Sequence, residues 1–337
     1  MAKSTVLILW YTCGYCFSHG INARRDHLLN KITKFDKLIT LNWYAVAAHT
    51  AFFIVVLVLY LTWKRSQKHA IAQTYRYTLP DTDQLGEEKC NSDPTNTEGG
   101  GKCTTSYAYA PPHRIFRFNI IYGVLFFFAF TALAHVFYAT DGFGKGTYSN
   151  VIAAGWNPFR WIEYGISASV MSILIAYALG VRDGAQLITL ALATAAMQAN
   201  GFVVEGALKK ATVNVPVIAG ATASGWLLFV ALWLPILYNF ITLYMDVEGK
   251  YKNEIDPDTG KRVQIPGWVW FIIVIQMFHY FRFGLVQAKQ ISKALKGTPM
   301  DFIDVERAYI FLSFTAKLSL AGGLGYGLLF RTRDCPA

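Results

Sequence analysis

Lys317 stands near the middle of a long apolar run, Val305–Phe330, where its ammonium cannot easily snorkel to either end. An amine held there loses its proton, pairs with an acid, or enters covalent chemistry. The acid best placed to meet it is Glu163, the one carboxylate well inside another apolar run. Glu205 is followed almost at once by Lys209 and Lys210 and reads instead as an interfacial residue. Ser313 lies one helical turn before Lys317, so its hydroxyl can approach the amine. Glu306 is about three turns before Lys317, on nearly the same face. Ser167 stands one turn after Glu163, so the two faces together outline a small polar pocket around a buried charge. A buried Lys–Glu pair also serves as plain structural glue, and spacing alone does not choose between the two readings.

Other ionisable residues fall in apolar runs: His49, His135, Arg160, His279 and Arg282. A charge at mid-membrane costs about 2.5–3.5 kcal/mol on insertion scales, so each is a candidate functional group. Gln276, His279 and Arg282 are three apart and make one stripe, either a hydrated path or a set of bonds to neighbouring helices. Trp161, Tyr164, Trp226, Tyr238 and Tyr280 are candidates to line a slot for a conjugated ligand, although an aromatic taken singly is more often ordinary packing.

Apolar helices must position these residues. Charged residues make up 15% of the chain, against about 25% in soluble domains, because long stretches carry almost none. Seven runs are long enough to span a bilayer at 1.5 Å per residue. They are about 42–63, 115–140, 157–180, 185–208, 216–245, 267–290 and 305–330. Each is continuously apolar, unlike the alternating strands of a barrel, and no internal repeat suggests a transporter. The net charge of +10 comes from basic residues at span ends and in connections, which suits lipid headgroups and not nucleic acid.

Two connections are long. Residues 64–114 hold two strand-like tracts, Thr74–Leu79 and Thr104–Ala110, around a Gly/Asn/Pro/Ser stretch, which predicts a short β-hairpin. Cys90 and Cys103 bracket that stretch as either a disulfide on the oxidising side or two free thiols. Asp246–Pro266 is charged and expected to be solvated. Near the N-terminus, Thr5–Trp10 is too short to span and reads as a signal-peptide core or an interfacial segment. Cys13 and Cys16 have redox-type spacing but no βαβ context. The expected organisation is an N-terminal segment 1–41, a seven-helix domain 42–330 and a tail 331–337.

Asn157-Pro-Phe-Arg-Trp-Ile-Glu-Tyr-Gly-Ile-Ser-Ala-Ser-Val-Met171 and Glu306-Arg-Ala-Tyr-Ile-Phe-Leu-Ser-Phe-Thr-Ala-Lys317 resemble the signatures of spans 3 and 7 of the heliorhodopsins. A weaker likeness covers most of 42–330. The resemblance implies an all-α, rhodopsin-like bundle that binds all-trans retinal covalently, as a protonated Schiff base on Lys317 with Glu163 as counterion. It implies a hydrogen bond from Ser313 near that linkage, and contacts to the chromophore from Met197, Trp226 and Tyr280. Tyr164, Ser167 and Gln276 are assigned to the same pocket. His49 and His135 match the family's histidines in a polar cluster on the cytoplasmic side, and Asn157 and Arg160 belong to the span-3 motif. His279 and Arg282 complete the candidate proton path. The family is inverted, with a cytoplasmic N-terminus and an extracellular C-terminus, and forms homodimers through the strands of the first loop. That fits a Cys90–Cys103 bridge outside the cell and argues against a cleaved signal peptide. The long N-terminal tail and first loop, the polar stripe of span 6 and Cys335 depart from the usual pattern.

Three functions compete at this point. The first is a photoreceptor, not an enzyme, in which light changes the bundle's shape. The second is light-gated or light-driven proton movement, for which pumps need carboxylates on both sides of the amine; Ser313 stands where ordinary pumps have an Asp. The third is a seven-helix receptor or transporter in which Lys317–Glu163 is a simple salt bridge.

Overall fold

The computed structural model describes residues 32–62, 120–181, 183–209, 213–250 and 265–329. Seven helices in it are long and apolar enough to cross a membrane. These are α1 (Ile32–Thr62), α2 (Ile120–Ala139), α5 (Pro158–Ala178), α6 (Gly184–Leu208), α7 (Val215–Lys250), α8 (Gly267–Leu295) and α9 (Phe302–Leu329). A single turn, α3 (Asp141–Gly144), and a short helix, α4 (Thr147–Ala153), join α2 to α5. No strand occurs among the described residues. The two strand-like tracts, Cys90, Cys103, Cys13, Cys16 and Cys335 all lie outside them. Of the described residues, the bundle unit takes in 32–58 and those from Ile120 onward.

Local sequence sets the helix starts. Asn157 caps α5 by accepting from the Arg160 amide at 3.2 Å, and Pro158 occupies the first position, where its missing N–H costs nothing. Asp183 caps α6 through the Gln186 amide at 2.6 Å. In α3, Gly142 and Phe143 both have left-handed φ, of 67° and 59°. Asp141 anchors this turn by accepting from the amide and hydroxyl of Ser149 at 2.6 and 2.8 Å.

The first span begins ten residues earlier than its hydropathy indicates, at Ile32 rather than Asn42. Its first turns are amphipathic. Leu38 is fully buried and packs with Tyr138, Tyr148, Ile303 and Ile310, whereas Lys34 reaches Asp301 of α9 at 2.7 Å. Charges on one face therefore hid a helix whose other face joins the core. Helices α7 and α8 likewise run past the ends read from hydropathy, to Lys250 and Leu295. Helix α9 packs on α2, α5 and α8, while α6 packs chiefly on α5 and α7, and α7 chiefly on α6. That arrangement leaves a space across the bundle, from α9 on one side to α6 and α7 on the other.

Candidate functional site

Lys317 is 2% exposed and comes from the middle of α9. Its Nζ donates to Ser313 Oγ at 2.6 Å and to Glu163 Oε1 at 3.1 Å. The hydroxyl of Thr131, on α2, donates to the same carboxylate oxygen at 2.8 Å. The ammonium also lies 5.4 Å from the centre of the Tyr164 ring, close enough for cation–π attraction. Three helices thus converge on one buried charge pair. Removing a single partner from such a pair costs about 3–5 kcal/mol, since the other charge is left unmatched in low dielectric.

The space beside this pair is a cavity of about 90 Å³, counted over positions open to the centre of a water molecule. One water needs roughly 10–15 Å³ on that measure, so the cavity is larger than a hydration site. Lys317, Ser313, Tyr164, Ser167, Met197, Trp226 and Tyr280 all line it, as does Trp161. Tyr164 and Tyr280 are held by donating to the carbonyls of Tyr309 and Ala168 at 2.9 and 3.0 Å. Two glycines let the indoles close in. A Cβ on Gly201 would lie 2.3 Å from Trp161, and one on Gly284 would lie 2.9 Å from Trp226.

Gln276 does not belong to these walls. It is fully buried, and its amide donates to the Ala316 carbonyl and Ser319 hydroxyl of α9 at 3.1 and 3.0 Å, which ties α8 to α9. Tyr238 is 67% exposed and cannot line the slot. His279 is buried without lining the cavity, and Arg282 is half-buried, 5.5 Å from the Phe278 ring.

A second buried charge cluster surrounds Arg160. Its guanidinium bonds both Glu205 and Glu306. Glu205 is 1% exposed and stands three residues before the end of α6. Arg160, the Asn157 amide at 2.9 Å and the Trp161 indole N–H at 2.7 Å hold it inside. Pairing with Arg160 offsets the cost of burying that carboxylate. Glu306 accepts from Asn157 Nδ2 at 2.7 Å and from the Tyr148 hydroxyl at 3.4 Å. It therefore serves Arg160 and not Lys317. Glu163, Glu205 and Glu306 are the buried carboxylates among the described residues.

From Tyr148 the polar chain continues. Asn42 donates to the Tyr148 hydroxyl at 3.4 Å, and its amide oxygen lies 2.7 Å from His135 Nδ1. His135 stacks on His49 with ring centres 5.6 Å apart. Neither ring nitrogen of His49 has a hydrogen-bond partner among the described residues. His49, His135, Asn157 and Arg160 are thus gathered into one buried network. Asn42 and Tyr148 complete it, and Thr131 joins the Lys317–Glu163 pair, without having been singled out in the sequence. Neutral Asn and Tyr give no warning in hydropathy, and only the bundle brings them together.

Seven membrane helices around a buried lysine, with that lysine in the wall of an aromatic cavity, define the architecture of the retinal-binding rhodopsins. The model of the heliorhodopsin family matches residues 95–327, and the chain belongs to that family. No curated protein matches the chain. As a heliorhodopsin it is a multi-pass, retinal-binding, light-responsive membrane protein.

The walls suit that chromophore. The glycine-indole contacts make a flat aromatic slot, and a primary amine stands in its wall. Gly284→Ala is therefore expected to push Trp226 into the slot, costing about 1–3 kcal/mol. The protein should then form less pigment on addition of all-trans retinal, measured as visible absorbance per mole of protein. A full yield with an unshifted band would show that the Trp226–Gly284 contact does not shape the slot.

Proposed function

We propose that the protein is a photoreceptor holding all-trans retinal covalently on Lys317, with Glu163 as counterion. The observation that carries this reading is the buried Lys317 Nζ, bonded to Glu163 and Ser313 at the wall of the aromatic cavity. When bound, retinal supplies absorption of visible light and photoisomerisation. The chain's own residues hold the positive charge at Nζ. Glu163 balances it, Thr131 and Ser313 orient the two partners, and Tyr164 adds the attraction of its ring face. Tight burial of the pair excludes water from the linkage. His135 lies one turn after Thr131 on α2 and places the histidine–tyrosine–carboxylate network within reach of the same charge. A movement of charge at Lys317 is then felt through Asn42, Tyr148 and Glu306 as far as Arg160.

The same reading places the N-terminus in the cytoplasm, the Cys90–Cys103 bridge outside and two copies side by side. Purified protein mixed with all-trans retinal is expected to develop a visible band that hydroxylamine bleaches. A mixture that keeps the spectrum of free retinal would overturn the proposal.

Sensing is favoured over proton transport by what surrounds the amine. Ser313 stands one turn before Lys317, and Glu163 is the only carboxylate bonded to Lys317 among the described residues. The polar stripe of α8 is tied to α9 through Gln276 rather than opened into the cavity. Cells displaying the pigment are therefore expected to give no photocurrent at any voltage or proton gradient. A light-induced current whose reversal potential follows that gradient would replace the sensing reading with transport.

A further inference from the structure

The cavity wall carries polar groups as well as aromatic ones. Lys317 and Ser313 come from α9, whereas Asn200 and Thr222 come from α6 and α7, which do not pack extensively on α9. Gln287 of α8 joins that far wall by donating to the Gly201 carbonyl of α6 at 3.1 Å. Asn200 spends its amide N–H on Ser224 Oγ at 3.1 Å. The amide oxygens of Asn200 and Gln287 have no hydrogen-bond partner among the described residues, and both side chains line the cavity. The hydroxyl of Thr222 is buried and also lacks a partner. Threonine in a helix commonly satisfies itself on the carbonyl one turn back, so a buried hydroxyl left free is unusual.

A plain hydrocarbon ring has nothing to offer these atoms. Sealing a hydroxyl and two amide oxygens against it removes their access to water and gives no bond in return. A ligand hydroxyl does both jobs, because it donates to an amide oxygen and accepts from, or donates to, Thr222. A ring ketone only accepts, and two of the three free groups are themselves acceptors. We propose that the far wall, centred on Thr222, Asn200 and Gln287, is a recognition site for a hydroxyl group, and that the protein prefers a ring-hydroxylated retinal to retinal itself. This inference rests on the reading of Lys317 as the attachment point, because that reading sets which end of the ligand reaches the far wall.

The test offers the purified, chromophore-free full-length protein an equimolar mixture of all-trans retinal, its 3-hydroxy derivative and its 4-oxo derivative. Bound chromophore is released with hydroxylamine and quantified by chromatography. The 3-hydroxy compound is expected to be enriched about ten-fold over each of the others, the scale of one well-made buried hydrogen bond. Thr222→Val, which keeps the volume and removes the hydroxyl, should bring the enrichment close to one, and Thr222→Ser should retain most of it. Equal incorporation of the three aldehydes by the unmutated protein overturns the proposal, whatever the variants do. So does an enrichment that survives in Thr222→Val. Incorporation of retinal with rejection of the 3-hydroxy compound overturns this inference and leaves Lys317 standing. Incorporation of none of the aldehydes removes the attachment reading and this one with it.

Discussion

Lys317→Ala protein is expected to show no visible absorption band after addition of all-trans retinal, a complete loss rather than a graded one. The reason is chemical: only a primary amine condenses with an aldehyde to a carbon–nitrogen double bond, the aldehyde oxygen leaving as water. Lys317 is the lysine in the cavity wall, and the other described lysine side chains are exposed or half-buried. Alanine also leaves Glu163 buried without its cation, which by itself destabilises the bundle by about 3–5 kcal/mol. Lys317→Arg separates the two effects. It keeps a positive charge beside Glu163 but presents a guanidinium that does not form the linkage, so it should fold better than Lys317→Ala and be equally colourless. A hydroxylamine-sensitive pigment in either variant would move the attachment elsewhere.

Glu163→Gln carries the second-largest expected effect. The carboxylate contacts Nζ at 3.1 Å within a buried site, and as the proposed counterion it would supply the negative charge that keeps the linkage protonated. A neighbouring opposite charge at that range shifts a proton equilibrium by about 1–3 pH units, and each unit is worth about 1.36 kcal/mol. With the charge gone, the protonated form is disfavoured, and the pigment should lose its proton at a lower pH than the unmutated protein. Near neutral pH the band is expected to move to the blue, or to the red if an anion from solution takes the vacated role. The check is a spectral titration in chloride and in a bulky, poorly binding anion. A spectrum and titration identical to those of the unmutated protein would exclude Glu163 as counterion.

Much of this was readable from residues alone, and the misses have physical causes. The seven spans follow from runs of apolar residues, the Lys317–Ser313 contact from helical spacing, and the Lys317–Glu163 pair from the depth of each residue in its own run. Span ends were less legible. At α1, Lys34, Asp36 and Lys37 depress the hydropathy of a segment whose Leu38 face is buried. At Glu205 the sequence showed the lysines that follow but not the partner, Arg160 on another helix. The second charge cluster was hidden because its members lie on α5, α6 and α9, and spacing within one helix reports nothing about partners across the bundle. Tyr238 and Gln276 failed as cavity residues through facing. Aromatic or polar character says that a side chain wants a partner, but not whether the partner is a ligand, lipid or the next helix. The polar far wall of the cavity has the same origin, since Asn200, Thr222 and Gln287 are unremarkable until three helices set them side by side.

The most direct measurement of the central claim is the site of attachment. The pigment, formed with all-trans retinal, is reduced with borohydride so that the linkage becomes a stable secondary amine, then digested and sequenced by mass spectrometry. One modified residue is expected, Lys317, carrying a retinyl group in near-stoichiometric yield in the unmutated protein. A retinyl group on a different lysine, or a reduced pigment whose Lys317 peptide is wholly unmodified, would contradict that assignment.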